Sequence, residues 1–258
     1  MYTRTDSPAH IIQEVIDNSA DEALAGYAKR IDVAMYRDGS VAIADDGRGI
    51  PVGLHPVEGV PVVVLAYTVL HAGGKFDKTS GASAYAFSGG LHGVGVAVTT
   101  ALSTKVEVDV RREGKAHQIV FNDGGREIGE LIEKGACGRQ SGTRVRVWPD
   151  PRYFDAPKVP LAEIERLLRS KAVLLPGVTV TLEIEQADGS MAKSEWHYAE
   201  GLTGYLREMA AGTEPLVPIF AGENYAKAHE DFAEGEGAAW AFTWFDGFAA
   251  SESYVNLI

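Results

Sequence analysis

The sequence predicts a single α/β domain, a mixed sheet with helices covering one face. Segments of period-two alternation are interspersed with segments of helical spacing, and no internal repeat is present. At 258 residues, with 45% apolar and 23% charged composition, the chain can bury about 70 to 75% of its unfolded surface without a disulfide or metal staple.

Ile12, Val15, Ile16, Ala20, Ala23 and Leu24 recur at helical spacing up to Gly26, which predicts the first helix. Ile31, Val33 and Met35 alternate with polar residues, Asp38-Gly39 supplies a tight turn, and Val41 and Ile43 resume the alternation as a hairpin. Residues 45–51 break it as a loop. Residues 57–70 are apolar and β-branched; their length favours a helix. Residues 73–93, rich in Gly, Ser and Ala without periodicity, predict a long mobile loop that opens a short helix over 94–102. Strands over 105–112, 116–122 and 143–148 follow, then a helix over 161–174 stopped at Pro176-Gly177. Strands over 178–185 and 194–198 turn at Asp188-Gly189. A helix over 202–211, a polar loop over 222–237 and strands over 239–245 and 253–258 complete the chain.

With 24 basic against 36 acidic residues the net charge is −12, so the chain repels a polyphosphate backbone, and binding long nucleic acid is not its own task. A small anionic ligand with a metal ion stays open. The longest apolar runs, 60–69 and 172–178, fall short of the ~20 residues that span a bilayer, and no signal-like start is present. The single Cys137 can form neither an internal disulfide nor a usual zinc site, which fits a reducing cytoplasm.

Three constellations could carry chemistry. Glu14, Asn18 and Asp21 fall within about 60° of one another on the first helix, with Glu22 beside them, opposite the apolar stripe. This is either a solvated face or an oxygen-rich one, in which Asn18 holds Mg²⁺ and Glu14 deprotonates a water. Asp45 follows Val41 and Ile43 at period two, so its carboxylate shares their side of the sheet. It either caps the turn into Gly47 or accepts a hydrogen bond from a base amino group. Thr143, in phase with Val145 and Val147, would reach the rim of the same pocket. Finally, Gly89 to Gly95 opens the short helix, with Gly73-Gly74-Lys75 at the other end of the loop, a pattern suited to phosphates.

Together these residues resemble a known family. Glu14-Val15-Ile16-Asp17-Asn18-Ser19-Ala20-Asp21-Glu22-Ala23, then Asp45-Asp46-Gly47-Arg48-Gly49-Ile50-Pro51, then His71-Ala72-Gly73-Gly74-Lys75-Phe76 and residues 88–95 are similar to the ATPase domain of type IIA DNA topoisomerase B subunits. That domain belongs to the GHKL superfamily, with gyrase, a heat-shock chaperone, histidine kinases and a DNA-repair ATPase. The similarity continues through Gly142-Thr143, Asp246-Gly247 and Tyr254-Val255-Asn256-Leu257-Ile258, and resembles the topoisomerase IV branch more than the gyrase branch.

The resemblance implies the GHKL (Bergerat) ATP-binding fold, a two-layer sandwich with a mixed, mostly antiparallel sheet, over 1–258 as one ATPase domain. It implies ATP and Mg²⁺ as cofactors, and nucleotide hydrolysis that closes a subunit gate around DNA during strand passage. Implied partners are a second B subunit, the DNA-cleaving A subunit, DNA through other domains, and ATP-site inhibitors of the aminocoumarin type; no membrane is implied. Carried onto this chain, Glu14 is the general base, Asn18 the Mg²⁺ ligand, and Asp21 and Glu22 belong to the same nucleotide face. Asp45 binds the adenine amino group, supported by Thr143 through an ordered water. Gly49, Ile50 and Pro51 line the base pocket, with Arg48 at its mouth and Arg112 at a rim reached by inhibitors. Gly73, Gly74, Lys75 and the backbone of Leu91, His92, Gly93, Val94 and Gly95 hold the phosphates under a lid. The N-terminal arm and the transducer domain of the family have no counterpart in 1–258, so a fragment that binds nucleotide and hydrolyses it slowly is expected. Val64, Ala97 and Thr100 depart from residues common in the family. The alternatives are a gyrase B domain and a binding-only nucleotide switch, and Glu14 discriminates the second.

Overall fold

The computed structural model describes residues 6–70, 95–156, 158–210, 213–226, 237–247 and 249–255. Helix α1 (Ala9–Leu24) starts behind Pro8, where Ser7 Oγ accepts from the Ala9 N–H at 3.3 Å, and it ends at Gly26 as the spacing predicts. The hairpin of β1 (Arg30–Met35) and β2 (Val41–Asp45) pairs Val33 with Ile43, and Asp38 Oδ1 accepts from the Ser40 N–H at 2.9 Å in its turn. Helix α2 (Val62–Thr68) is shorter than predicted. Residues 54 and 61 form a bridge, and Pro61, with extended ψ of 136°, holds the preceding residues out of the helix. Helix α3 (Gly95–Ala101) leads into β3 (Ser103–Arg112) and β4 (Lys115–Asn122). Then come β5 (Glu127–Ile128), β6 (Ile132–Ala136), β7 (Gly142–Pro149), α4 (Leu161–Leu174), β8 (Thr179–Glu185), β9 (Met191–His197) and α5 (Leu202–Met209).

The main sheet runs β5-β4-β3-β7-β2-β1-β8-β9, with β6 also pairing with β4; the β1–β8 pair is parallel and the others are antiparallel. One register row explains why helices cover a single face. Leu182, Val33, Ile43, Val145, Val108 and Ile119 stand opposite one another across six strands, all buried. The next row, on the other face, reads Thr181, Asp32, Ala44, Arg144, Asp109 and Gln118. It is knitted by Thr181 Oγ1 donating to Asp32 (2.5 Å), Arg144 to Asp109 (3.3 Å) and Gln118 to Asp109 (2.8 Å). Helix α1 lies over β1, β2 and β7, flanked by α3 and α4. Among the described residues no helix is long and apolar enough to cross a membrane.

Several expectations are corrected. β5 and β6 escape the periodicity because both lie at an edge with most side chains exposed, so no face carries an apolar signal. The predicted loop at 222–237 begins as a strand. β10 (Phe220–Tyr225) pairs with β11 (Gly237–Phe242) as a separate hairpin, while 227–236 lie outside the described residues. Gly222 sits under the Trp240 ring, and the Phe220 and Phe242 rings stand 5.0 Å apart. These cross-strand aromatic contacts hold a pair that its polar sequence conceals. Residues 253–255 are not a strand: Tyr254 packs on the core and its hydroxyl donates to Glu252, while 256–258 lie outside the described residues. The predicted loop at 73–93 is also outside them.

Candidate functional site

Asp45 marks where the buried face turns polar. It is the last residue of β2, in register with Ile31 and through it with Val180. Its carboxylate is half-buried and accepts from Ser19 Oγ (3.0 Å, to Oδ2), the Gly47 N–H (3.0 Å) and the Thr143 N–H (3.3 Å, both to Oδ1). Asp45 therefore does cap its turn. An ionised carboxylate has about four lone-pair sites, so capacity for one further donor remains. Burial pushes its pKa from 3.8 up to about 6, against the pull of those three donors; the negative charge of Glu22 adds to the rise.

β7 delivers Thr143 to this point. Gly142, at φ +130°, carries no β-carbon, and one placed there would lie 2.0 Å from the Asp45 carbonyl oxygen. Only glycine lets β7 start against the end of β2. The Thr143 hydroxyl accepts from the Ile50 N–H at 3.1 Å, fixing the 45–51 loop above the sheet. Arg112 Nη1 donates to the Gly49 carbonyl at 2.6 Å, so the rim residue grips the same loop from β3.

The α1 face is not a plain solvated face. Asn18 is exposed, Glu14 and Glu22 are half-buried, and Asp21, predicted to lie opposite the apolar stripe, is buried, because neighbouring elements close over that flank of the helix. Glu22 Oε1 accepts from Arg48 Nη2 at 2.7 Å and its Oε2 from the Arg48 N–H at 2.9 Å, while the guanidinium lies 3.8 Å over the Tyr27 ring. Glu14 has His10 Nε2 at 3.7 Å and packs against the start of α3. A β-carbon at Gly95 would stand 2.0 Å from Glu14 Oε2. Thr99 Oγ1 donates to the Ile11 carbonyl at 2.9 Å and holds the two helices together.

A β-carbon at Gly95 would also stand 2.9 Å from Glu14 Cδ and 3.0 Å from its Cβ, so Gly95→Ala is expected to push the Glu14 carboxylate aside and to spread α1 and α3 slightly. With Glu14 in the role that the resemblance implies, nucleotide turnover should fall about 100-fold and the melting temperature only modestly. Paired turnover and thermal-unfolding measurements check this, and full turnover in the variant would refute it.

The structure thus joins Asp45, Thr143, Ile50, Gly49 and Arg112 by hydrogen bonds around the 45–51 loop, ties Glu22 to Arg48 of that loop and sets Glu14 against Gly95, with Asn18 and Asp21 on the same helix as Glu14 and Pro51 exposed. Gly73, Gly74, Lys75, Leu91, His92, Gly93 and Val94 lie outside the described residues. Two contributors carry little signal in the sequence. Ser19 faces Asp45, and its place beside the acid face was the available clue; Tyr27 follows the helix stop and offers none. Val64 packs against the core and Ala97 is buried; nothing in the structure explains why they depart from the family.

Residues 3–152 match the family model described as histidine kinase-, DNA gyrase B-, and HSP90-like ATPase. The chain is 45% identical over 266 residues to the B subunit of DNA topoisomerase 4 from Escherichia coli (strain K12), an alignment that takes in all of this chain and 39% of that protein. It thus spans about two fifths of the length of the curated relatives it matches first. Among solved structures, the topoisomerase IV ATP-binding domain of Francisella tularensis, in complex with a small-molecule inhibitor, superimposes with a TM-score of 0.65 at 37% identity. That match covers 78% of this chain and 92% of the other. The 43K ATPase domain of Thermus thermophilus gyrase B, in complex with an aminocoumarin, gives a TM-score of 0.71 at 33% identity over 86% of this chain and 56% of the other.

Proposed function

Because the chain belongs to the histidine kinase-, DNA gyrase B- and HSP90-like ATPase family, we propose that it binds and hydrolyses Mg-ATP as the ATPase domain of a type II topoisomerase B subunit of the topoisomerase IV kind. In the intact protein this cycle closes a gate between two B subunits around DNA that other domains and the DNA-cleaving A subunit handle. The net charge of −12 agrees with leaving the DNA to those parts.

The observation that carries the reading is Asp45, a half-buried carboxylate with one acceptor site to spare, set beside the Glu14 and Asn18 face. A buried acceptor left unmatched costs about 1 to 3 kcal/mol, so the site favours a base that presents an amino group. The donor set also fits magnesium, since Asn18 offers an exposed hard oxygen and Glu14 lies one turn away. Bound Mg²⁺ supplies charge neutralisation at the phosphate oxygens. Glu14 takes the proton of the attacking water at its carboxylate, and Asn18 holds the metal side of the nucleotide. Thr143 and Arg112 keep the 45–51 loop in place as the wall of the base pocket, and the Glu22–Arg48 tie keeps its mouth open. The resemblance assigns the phosphate end to Gly73, Gly74, Lys75 and residues 91–95. The inhibitor-bound neighbours make ATP-site inhibitors, aminocoumarins included, expected ligands.

Calorimetric titration with a non-hydrolysable ATP analogue and Mg²⁺ tests this, with saturable one-to-one binding expected and no heat overturning it. A pH series adds a specific check. Ionised Asp45 is the stronger acceptor for the base amino group, and its pKa sits at about 6, so affinity should fall as pH drops through that value. Adenosine, which has no phosphate to titrate, should bind more weakly at pH 5 than at pH 8, by up to about ten-fold. A flat profile would remove Asp45 from base recognition.

A further inference from the structure

Lys171, in the last turn of α4, and Asp17 of α1 form a buried ion pair, Nζ to Oδ1 at 2.6 Å, with side chains only 1% and 7% exposed. A fully buried lysine is rare and costs desolvation that its partner does not reliably repay. Replacing such a pair with uncharged groups of similar volume is often neutral or stabilising, so the pair is a weak way to gain stability. What it provides is a fixed charged contact between α1 and α4, close in distance but not aligned as a hydrogen bond at Asp17 Oδ1. At 3.6 residues per turn, Asp17 lies about 60° round the helix from Glu14 and about 100° from Asn18. Its other flank is held by Ser19 on Asp45 (3.0 Å), by Thr99 on the Ile11 carbonyl (2.9 Å) and by Glu22 on Arg48 (2.7 Å). The other buried side chains of α1, among them Ile11, Ile12, Val15, Ile16 and Ala20, are apolar apart from Ser19 and Asp21. Apolar packing is non-directional, and none of the hydrogen bonds given above links α1 to α4. The Lys171–Asp17 contact adds a charged tie from α4 to α1, and the cation sits at the helix end where the dipole favours it.

We propose that Lys171 and Asp17 are a positioning pair for hydrolysis: α4 sets the rotation of α1 through this contact, and with it the aim of Glu14 beside Gly95 and the exposure of Asn18. The proposal rests on the ATPase reading above. Asp17 and Lys171 touch no nucleotide group; they act through the helix that carries Glu14.

The test compares the chain with Lys171→Met and with the double variant Asp17→Asn, Lys171→Met. The single variant strands a buried carboxylate and should lower the melting temperature. The double variant removes both charges, and should melt at or above the temperature of the unmodified chain. Its kcat for ATP should fall about ten-fold or more while KM and the affinity for a non-hydrolysable analogue stay within about three-fold. Lys171→Arg, which keeps the cation, should retain most of the turnover. Full turnover in the double variant would overturn the proposal, as would an equal loss of affinity and turnover. Unfolding of the double variant would overturn it too, because the pair would then hold the fold rather than turn the helix. If the unmodified chain neither binds nor hydrolyses ATP, the ATPase reading itself fails and the proposal falls with it. That failure shows without any variant and is distinct from the others.

Discussion

Glu14→Gln should cut ATP turnover by about 10² to 10⁴-fold while leaving analogue affinity within about three-fold, because a general base contributes to the chemical step and little to ground-state binding. Gln preserves the volume of the side chain and its contact with the start of α3, and a carbonyl oxygen remains 3.7 Å from His10 if the amide is so turned. It removes the negative charge and with it the capacity to take a proton. Steady-state turnover and calorimetric affinity on the same preparation check both halves. Unchanged turnover in Glu14→Gln would show that Glu14 is no base. Measurable affinity with no turnover in either protein would instead favour the binding-only switch. Loss of affinity together with turnover would place Glu14 among the groups that hold the nucleotide.

Asp45→Asn should do the reverse, weakening adenine nucleotide binding about 10 to 100-fold while making the fold more stable at neutral pH. The binding loss is that of a hydrogen bond to a charged acceptor, about 1.5 to 3 kcal/mol. The stability gain follows from the raised pKa. A carboxyl that titrates at about 6 in the fold and near 3.8 when unfolded favours the native state when protonated; that contribution is complete below about pH 3.8 and is lost as pH rises through about 6. At pH 7.5 ionised Asp45 thus costs the fold about 3 kcal/mol. Asn has no such cost. Its amide oxygen has two lone pairs for the three donors now on Asp45, which takes back part of the gain and leaves about 1 to 2 kcal/mol. Denaturant unfolding of both proteins at pH 7.5 and pH 4 separates the effects: the gain should be present at the first and vanish at the second. A variant that is less stable at pH 7.5, or that binds as well as the parent, contradicts the assignment.

These two residues also show how far the sequence reaches. Val41, Ile43 and Asp45 fall on one side of β2 because strand side chains alternate strictly, and that rule placed the carboxylate on the core face before any contact was known. The same rule put Thr143 in phase with Val145 and Val147, and the pairing of β7 with β2 then set it beside Asp45. Helical periodicity placed Glu14, Asn18, Asp21 and Glu22 within reach of one another, and the glycine-containing turns at 26, 39 and 189 bounded their elements where expected. Each of these is a local property of a repeating backbone.

Pairing at an edge and burial at a helix flank are not local. β5, β6 and β10 carry no usable alternation, since their order comes from ladders with strands already in place and, in β10, from aromatic rings of β11. The position of Asp17 and Asp21 round α1 can be read from spacing, but spacing does not say that α4 closes over that side or that Lys171, far along the chain, supplies the opposite charge. Likewise Ser19 and Asp45 meet because the helix crosses the end of β2. The sequence alone determined on which face of their own element these residues stand. Tertiary structure decided which faces meet, and therefore which carboxylate is desolvated to a pKa of about 6, which is tied to Arg48 and which is buried against a lysine. Desolvation and ion pairing depend on what lies across the gap, and that is fixed only when the elements pack.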